Sequence, residues 1–174
     1  TITWGSAADI EAHACQGNYG ISLEPMGNTG KILVSWCRTT GSIRTACCEV
    51  YGNALTVGAS VQCTSNGEQN SVAWDTALGK GVVVYRDNTQ SNYARGNVVS
   101  VSGTTVTLGT AITVDDATAE YFDVVYNAKS GGLWHCMNQS GSLQTKLVGL
   151  SISGTTLSAD SETMINGGQD DHMQ

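Results

Sequence analysis

Residues 71–114, SVAWDTALGKGVVVYRDNTQSNYARGNVVSVSGTTVTLGTAITV, contain four short runs rich in Val, Thr and aromatic residues, separated by Gly, Asn and Asp. Displaced by 51 residues, this stretch lies without a gap on residues 122–165, where VSVSGTTVTL meets LSISGTTLSA and Gly103-Thr104-Thr105 falls on Gly154-Thr155-Thr156. A third copy lies upstream with small gaps, so that Gly52-Asn53 matches the same turn and Gly30-Lys31 matches Gly79-Lys80. A period of about 50 residues points to units that bury their faces against one another rather than alone.

Within the central copy, SVAWD, GVVVYRD, RGNVVSVSG and TVTLGTAITV read as antiparallel strands A to D, because β-branched and aromatic residues fit a pleated, half-buried surface. A glycine at positive φ between two β-branched runs closes a two-residue hairpin whose twist matches its strands, which makes Gly103-Thr104 the firmest local feature. The expected fold is all-β: three tandem four-stranded antiparallel repeats resembling β-propeller blades, with strict alternation in strands C and D. Three blades do not close a ring, so closure would need further repeats or other subunits.

The expected organisation follows the repeat. Residues 1–20 hold an orphan strand of a preceding repeat plus a linker, residues 21–70, 71–121 and 122–168 are the three repeats, and residues 169–174 form a polar tail. TITWGSA at residues 1–7 resembles strand D (TVTLGTA), so a longer parent chain is expected, or a partner subunit that pairs with the edge at Ile2, Thr3 and Trp4. The B to C connections, Thr39-Thr40-Gly41-Ser42, residues 87–93 and Gln139-Ser140-Gly141-Ser142, are expected to gather on one rim.

Composition narrows the partners. The chain of 174 residues has 21 Gly, one Pro, 13% charged residues and a formal charge of −7, with no cluster of Lys or Arg. That excludes phosphate neutralisation as a binding mode, so neither nucleic acid nor an anionic membrane surface is an expected partner. No apolar run reaches the roughly 20 residues that span a bilayer.

The central copy, GKGVVVYRDNTQSNYARGNVVSVSGTTVTLGTAITVDD, resembles the repeats of tail-fibre and other virion-surface proteins of marine bacteriophages. Tyr85-Arg86-Asp87 and Val101-Ser102-Gly103-Thr104 carry the resemblance. The first and third copies keep the hairpin but have Trp36-Cys37-Arg38 and Cys136-Met137-Asn138 in place of Tyr-Arg-Asp. The resemblance implies a structural protein made in the host cytoplasm and displayed on the virion surface, assembled with copies of itself or with other virion proteins. Bacterial adhesins share such Gly-Thr-rich β repeats.

The chemistry-bearing residues point away from catalysis. Cys15, Cys37, Cys47, Cys48, Cys63 and Cys136 have no zinc or CxxC spacing; Cys47 and Cys48 in one strand must face opposite ways, while a B–C hairpin permits a bridge from Cys37 to either. Small apolar thiols in a core are the simpler reading, in keeping with a reducing cytoplasm. His13, His135 and His172 lack a nucleophile or an acid at motif spacing, and His135 belongs to one sheet face. Asp115-Asp116 with Glu120 lacks the Gly and the acid pattern of a calcium loop and reads as a solvated turn. No cofactor and no metal is expected.

A sialidase-type hydrolase would need an arginine triad and a Tyr nucleophile; Arg38, Arg44, Arg86 and Arg95 allow one to be drawn, without the Ser-x-Asp-x-Gly-x-Thr-Trp turn of such enzymes. A lectin-like module is the nearer alternative. Asp87, Asn92 and Tyr93 at the rim form a candidate glycan-contact cluster for a host-surface sugar, since ring faces stack on sugars and Asn or Asp bonds their hydroxyls. Trp36, Trp74, Trp134, Tyr85 and Phe122 fall inside strands and read as core.

Overall fold

The computed structural model describes residues 9–10, 15–16, 20–140 and 144–166. Thr1 to Ala7, and with them the expected assembly edge, lie outside these residues, as does the polar tail.

The described chain is all-β and antiparallel, with no closed barrel and a single three-residue 3-10 turn at Asn88–Gln90. Strands β1 (Ile21–Pro25), β2 (Lys31–Cys37), β3 (Ile43–Tyr51), β4 (Ala54–Val57) and β5 (Val61–Thr64) form one sheet. In it β1, β2 and β3 are successive neighbours, and both β4 and β5 pair with β3. The second sheet holds β6 (Gly67–Asp75), β7 (Lys80–Asp87), β8 (Tyr93–Ser102), β9 (Thr105–Leu108), β10 (Ile112–Asn127), β11 (Gly132–Gln139), β12 (Gln144–Ser153) and β13 (Thr156–Asn166).

Strand β10 explains why the second sheet is so large. Its first half pairs with β8 and its second half with β11, with the register broken between Glu120 and Asp123. Tyr121 sits at that break with φ 54°. The matching break in β6 lies between Glu68 and Asn70, around Gln69 at φ 47°. The bulge in β10 lets one strand leave one layer and enter the next, whereas β6 keeps β7 as its partner on both sides of its break. The layers are β1–β5, then β6–β9 with the first half of β10, then the second half of β10 with β11–β13.

Turn chemistry repeats along the chain. Gly52, Gly103 and Gly154 have φ of 59°, 60° and 62° and open two-residue hairpins whose second residues have negative φ, the type II′ geometry that favours Gly first. Asp75 Oδ1 accepts from the amides of Ala77 and Leu78, and Asn127 Oδ1 from those of Lys129 and Ser130. These two side chains thus shape the same turn in two places.

Three apolar clusters order the layers. Leu33, Cys37, Ile43 and Cys47 of the first sheet pack against Val72, Trp74, Val83, Tyr85 and Val99. The opposite face of the same middle strands sends Ala73, Val82, Val84 and Val98 against Val124, Leu133, Met137, Val148 and Leu150. On the far side of the first sheet, Val34, Trp36, Ala46 and Cys48 pack with Ile10, Leu55 and Val57. The run Val82-Val83-Val84-Tyr85 is therefore apolar throughout because its layer is covered on both faces.

For the same reason, the alternation expected in the C strands is absent. Thr45 to Cys48 in β3 and Gly96 to Val99 in β8 are buried without interruption. The expected D strands are also interrupted, giving β4 and β5, then β9 and β10, on either side of Gly58 and Gly109. At those two glycines the neighbouring layer comes closest. A Cβ on Gly58 would lie 2.1 Å from Thr104 O, and one on Gly109 would lie 2.0 Å from Thr155 O, so each hairpin carbonyl rests on bare backbone.

The cysteines are free thiols, as the simpler reading had them, and the bridge that a B–C hairpin would permit does not form. Cys37 stands opposite Ile43, whereas Cys47 and Cys48 stand opposite Leu33 and Ile32, and all six thiols are free. Cys47 and Cys48 do face different clusters, as adjacent strand residues must.

Three outcomes test this packing. Gly109→Ala forces a methyl group onto a carbonyl that cannot swing aside, and should lower unfolding free energy by about 3 kcal/mol in urea titration. Gly103→Ala meets open space and bears only the positive-φ penalty, about 1 kcal/mol. Thiol labelling followed by mass spectrometry should modify exposed Cys15 first, with buried Cys37, Cys47 and Cys48 reacting only on unfolding.

Candidate functional site

The rim is built where the B to C connections meet the chain crossing between layers. Gly67 N donates to Gly41 O (2.6 Å), Asn88 N to Asn66 O (3.0 Å), Ala119 N to Asn92 O (3.3 Å) and Ser140 N to Thr118 O (2.8 Å). Each of these loops is thus joined, backbone to backbone, to the chain that crosses between layers. Residues 141–143 fall outside the described chain.

Asp87 ends β7 and caps the 3-10 turn. Its Oδ1 accepts from Thr89 N (3.0 Å), Thr89 Oγ1 (2.6 Å) and Thr64 Oγ1 (3.1 Å), and the residue is buried. Such a carboxylate satisfies turn donors that would otherwise be orphaned. Asn92 has φ 63°, and its backbone closes the same loop on Asp87 O at 3.1 Å. The side chains of Asn92 and Tyr93 are half-buried and remain at the rim. Of the proposed glycan cluster, then, Asp87 is turned to structural use while Asn92 and Tyr93 stay partly accessible.

Tyr85 and three of the four arginines drawn for a sialidase-type site, Arg44, Arg86 and Arg95, are engaged within the sheets. Tyr85 is fully buried and donates to Asn97 Oδ1 at 2.8 Å; Asn97 Nδ2 in turn donates to Gly109 O at 2.8 Å. Burial pushes the Tyr85 phenol well above its ordinary range. Arg44 donates to Ser60, Arg86 pairs with Glu68 at 3.2 Å and Glu120 at 3.8 Å, and Arg95 donates to Thr113 and Ala111 O. Among the described residues no group of three or more His, Cys, Asp or Glu side chains is placed to hold a metal ion.

Two sites read differently from the sequence. Asp115 is not in a solvated turn: it lies within β10, is buried, accepts from Ala117 N, and meets Lys146 Nζ at 3.0 Å. Lys146 also meets Glu162 at 2.6 Å, and these acceptors hold its ammonium above the ordinary lysine range against the opposing effect of desolvation. A lone Lys inside QTKLVGLSIS looks like a solvent-facing residue; only the across-layer pairing reveals its partner. Trp134, read as core, is 37% exposed, because it sits on the outer face of the last layer while Leu133 and Met137 point inward.

His135 is fully buried between the second and third layers. Its ring stacks on Phe122 at 5.3 Å, and Nδ1 lies 2.9 Å from Asp123 O. A carbonyl only accepts, so Nδ1 carries a proton, while Nε2 is buried with no partner among the described residues. Ser71 Oγ donates to Asp123 Oδ1 (3.1 Å) and accepts from Val124 N (3.2 Å), which ties β6 to β10 beside the histidine. Comparison with models of known protein families found no match, and neither did a search of curated proteins.

Burial lowers the His135 pKa from 6.5 to about 4, outweighing the carbonyl bond and the nearby Asp115 and Asp123 charges. A folded-state pKa below the unfolded value means that stability is fully present above pH 6.5 and is lost as pH falls toward 4. The loss attributable to this group is about 3 kcal/mol. Urea unfolding of His135→Gln should show a shallower decline between pH 6.5 and 4 than the parent chain, whatever its stability at pH 7.5.

Proposed function

We propose that this chain is a structural protein of a bacteriophage particle, carried on an external appendage such as a tail fibre or on the head surface. It acts by packing repeated sheets and by assembling with neighbouring subunits. In this reading residues 21–70, 71–121 and 122–168 are three blade-like repeats, and a ring would close only with further repeats or other subunits. The rim loops are the part presented to a host surface.

The observation that most supports it is the layer contact recurring at matched positions. Thr104 O rests on Gly58 and Thr155 O on Gly109, each pair displaced from the other by the sequence period. A close backbone fit of this kind favours a stiff array, as a fibre or surface protein requires. Six free thiols suit a protein made in a reducing cytoplasm. The sealed Tyr85 and the capping role of Asp87 weigh against a sialidase-type reading.

Immunogold electron microscopy tests it. An antibody raised against the purified chain should label intact particles of the phage that encodes it, at an appendage or on the head. Gold found only on cell debris, with particles bare, would overturn the assignment.

A further inference from the structure

We infer that the outer face of the third layer is a docking surface for a second copy of this chain, which seats its β1 face there. The contact would repeat, between molecules, the packing already made twice within one. This inference deepens the assembly role proposed above.

The argument starts from positions that correspond across the layers. The fourth residue after the turn glycines Gly30, Gly79 and Gly131 is Val34, Val83 or His135, and these pair with Leu23, Val72 and Val124. Val72 and Val124 are 2% and 5% exposed, each pressed against the preceding layer, whereas Leu23 is 59% exposed. Leu23 and its neighbour Ile21 therefore form the open front of an interface whose other examples are closed.

The third residue after the same glycines is Leu33, Val82 or Trp134, paired with Glu24, Ala73 and Val125. Leu33 and Val82 are covered by the following layer; Trp134 and Val125, at 37% and 58% exposure, are not. Trp134 and Val125 line an open groove of about 710 Å³ with Tyr126 and Leu147. The open back and the open front are thus the two halves of one interface type.

The back is open along strands A and B, whereas the front is open along strand A alone, since Val34 and Trp36 of strand B are 1% and 2% exposed. On the front, Ile10 packs over the Val34 and Cys48 cluster. On the back, Asp160 occupies the position held by Gly58 and Gly109, six residues beyond the hairpin glycine, and its carboxylate lies over Gly149. A hairpin carbonyl cannot settle there. The intermolecular contact is consequently smaller than the internal ones, and it joins unlike faces, so it propagates head to tail into a ring or filament.

Sedimentation velocity from about 10 to 500 μM, a range suited to a small contact, is the test. The parent chain should show a sedimentation coefficient that rises with concentration. Leu23→Arg and Val125→Arg, both at exposed positions, should each stay monomeric with unchanged circular dichroism. Mixed one to one, they should form a dimer, because the first keeps an intact back and the second an intact front. A parent chain that stays monomeric throughout, variants that associate as it does, or a homodimer of one variant alone would overturn the inference. These results are independent of particle labelling: the chain could be on the virion and fail here, or associate here and be absent from the particle.

Discussion

The fit of one layer's hairpin carbonyl against the next layer's bare backbone governs much of this structure. Thr104 O and Thr155 O come so close to Gly58 and Gly109 that no side chain fits between. This approach sets the layer spacing at the D side, and side-chain bonds set it at the A side. Asn70 Nδ2 donates to Gly20 O, Val72 N to Ser22 Oγ, and Val124 N to Ser71 Oγ, each across a sequence separation of 50 to 53 residues. Apolar residues then fill a gap whose width is fixed at both borders. This division of labour suits a sequence with many Val and Thr but few large aromatic residues.

The repeat made the strands and hairpins legible. Gly52, Gly103 and Gly154 were placed correctly because a two-residue hairpin demands positive φ at one position, a local requirement that sequence records directly. The breaks at Gly58 and Gly109 were not legible. Those glycines answer to a carbonyl 46 residues away rather than to their own strand, so they look like ordinary β residues with weak propensity. The uninterrupted burial of residues 45–48 and 96–99 was missed for a related reason: alternation is expected of a strand with one wet face, and these two stretches are covered on both faces.

The candidate site was only partly visible. Asp87 was recognised as a rim residue, but its carboxylate is consumed by Thr64 and Thr89, a use that depends on a chain crossing 23 residues earlier. Asp115, Lys146 and His135 were harder still. Each is a polar residue whose meaning rests on which layer lies opposite: Asp115 finds Lys146 at 3.0 Å, while His135 finds a carbonyl on one nitrogen and no partner among the described residues on the other. A buried pair of opposite charges adds little net stability, yet it penalises any slip that would separate the partners.

Strand β10 carries a mechanical consequence. Its 16 residues are hydrogen-bonded first to β8 and then to β11, so a single length of backbone belongs to two layers. Tension along the chain cannot slide the second and third layers apart while leaving each whole; it must strip rungs from one ladder or the other. The link between the first and second layers differs, because β5 ends at Thr64 and β6 starts at Gly67, with two residues outside either ladder. Under load the first layer can detach with its own sheet intact, while the other two resist as one body.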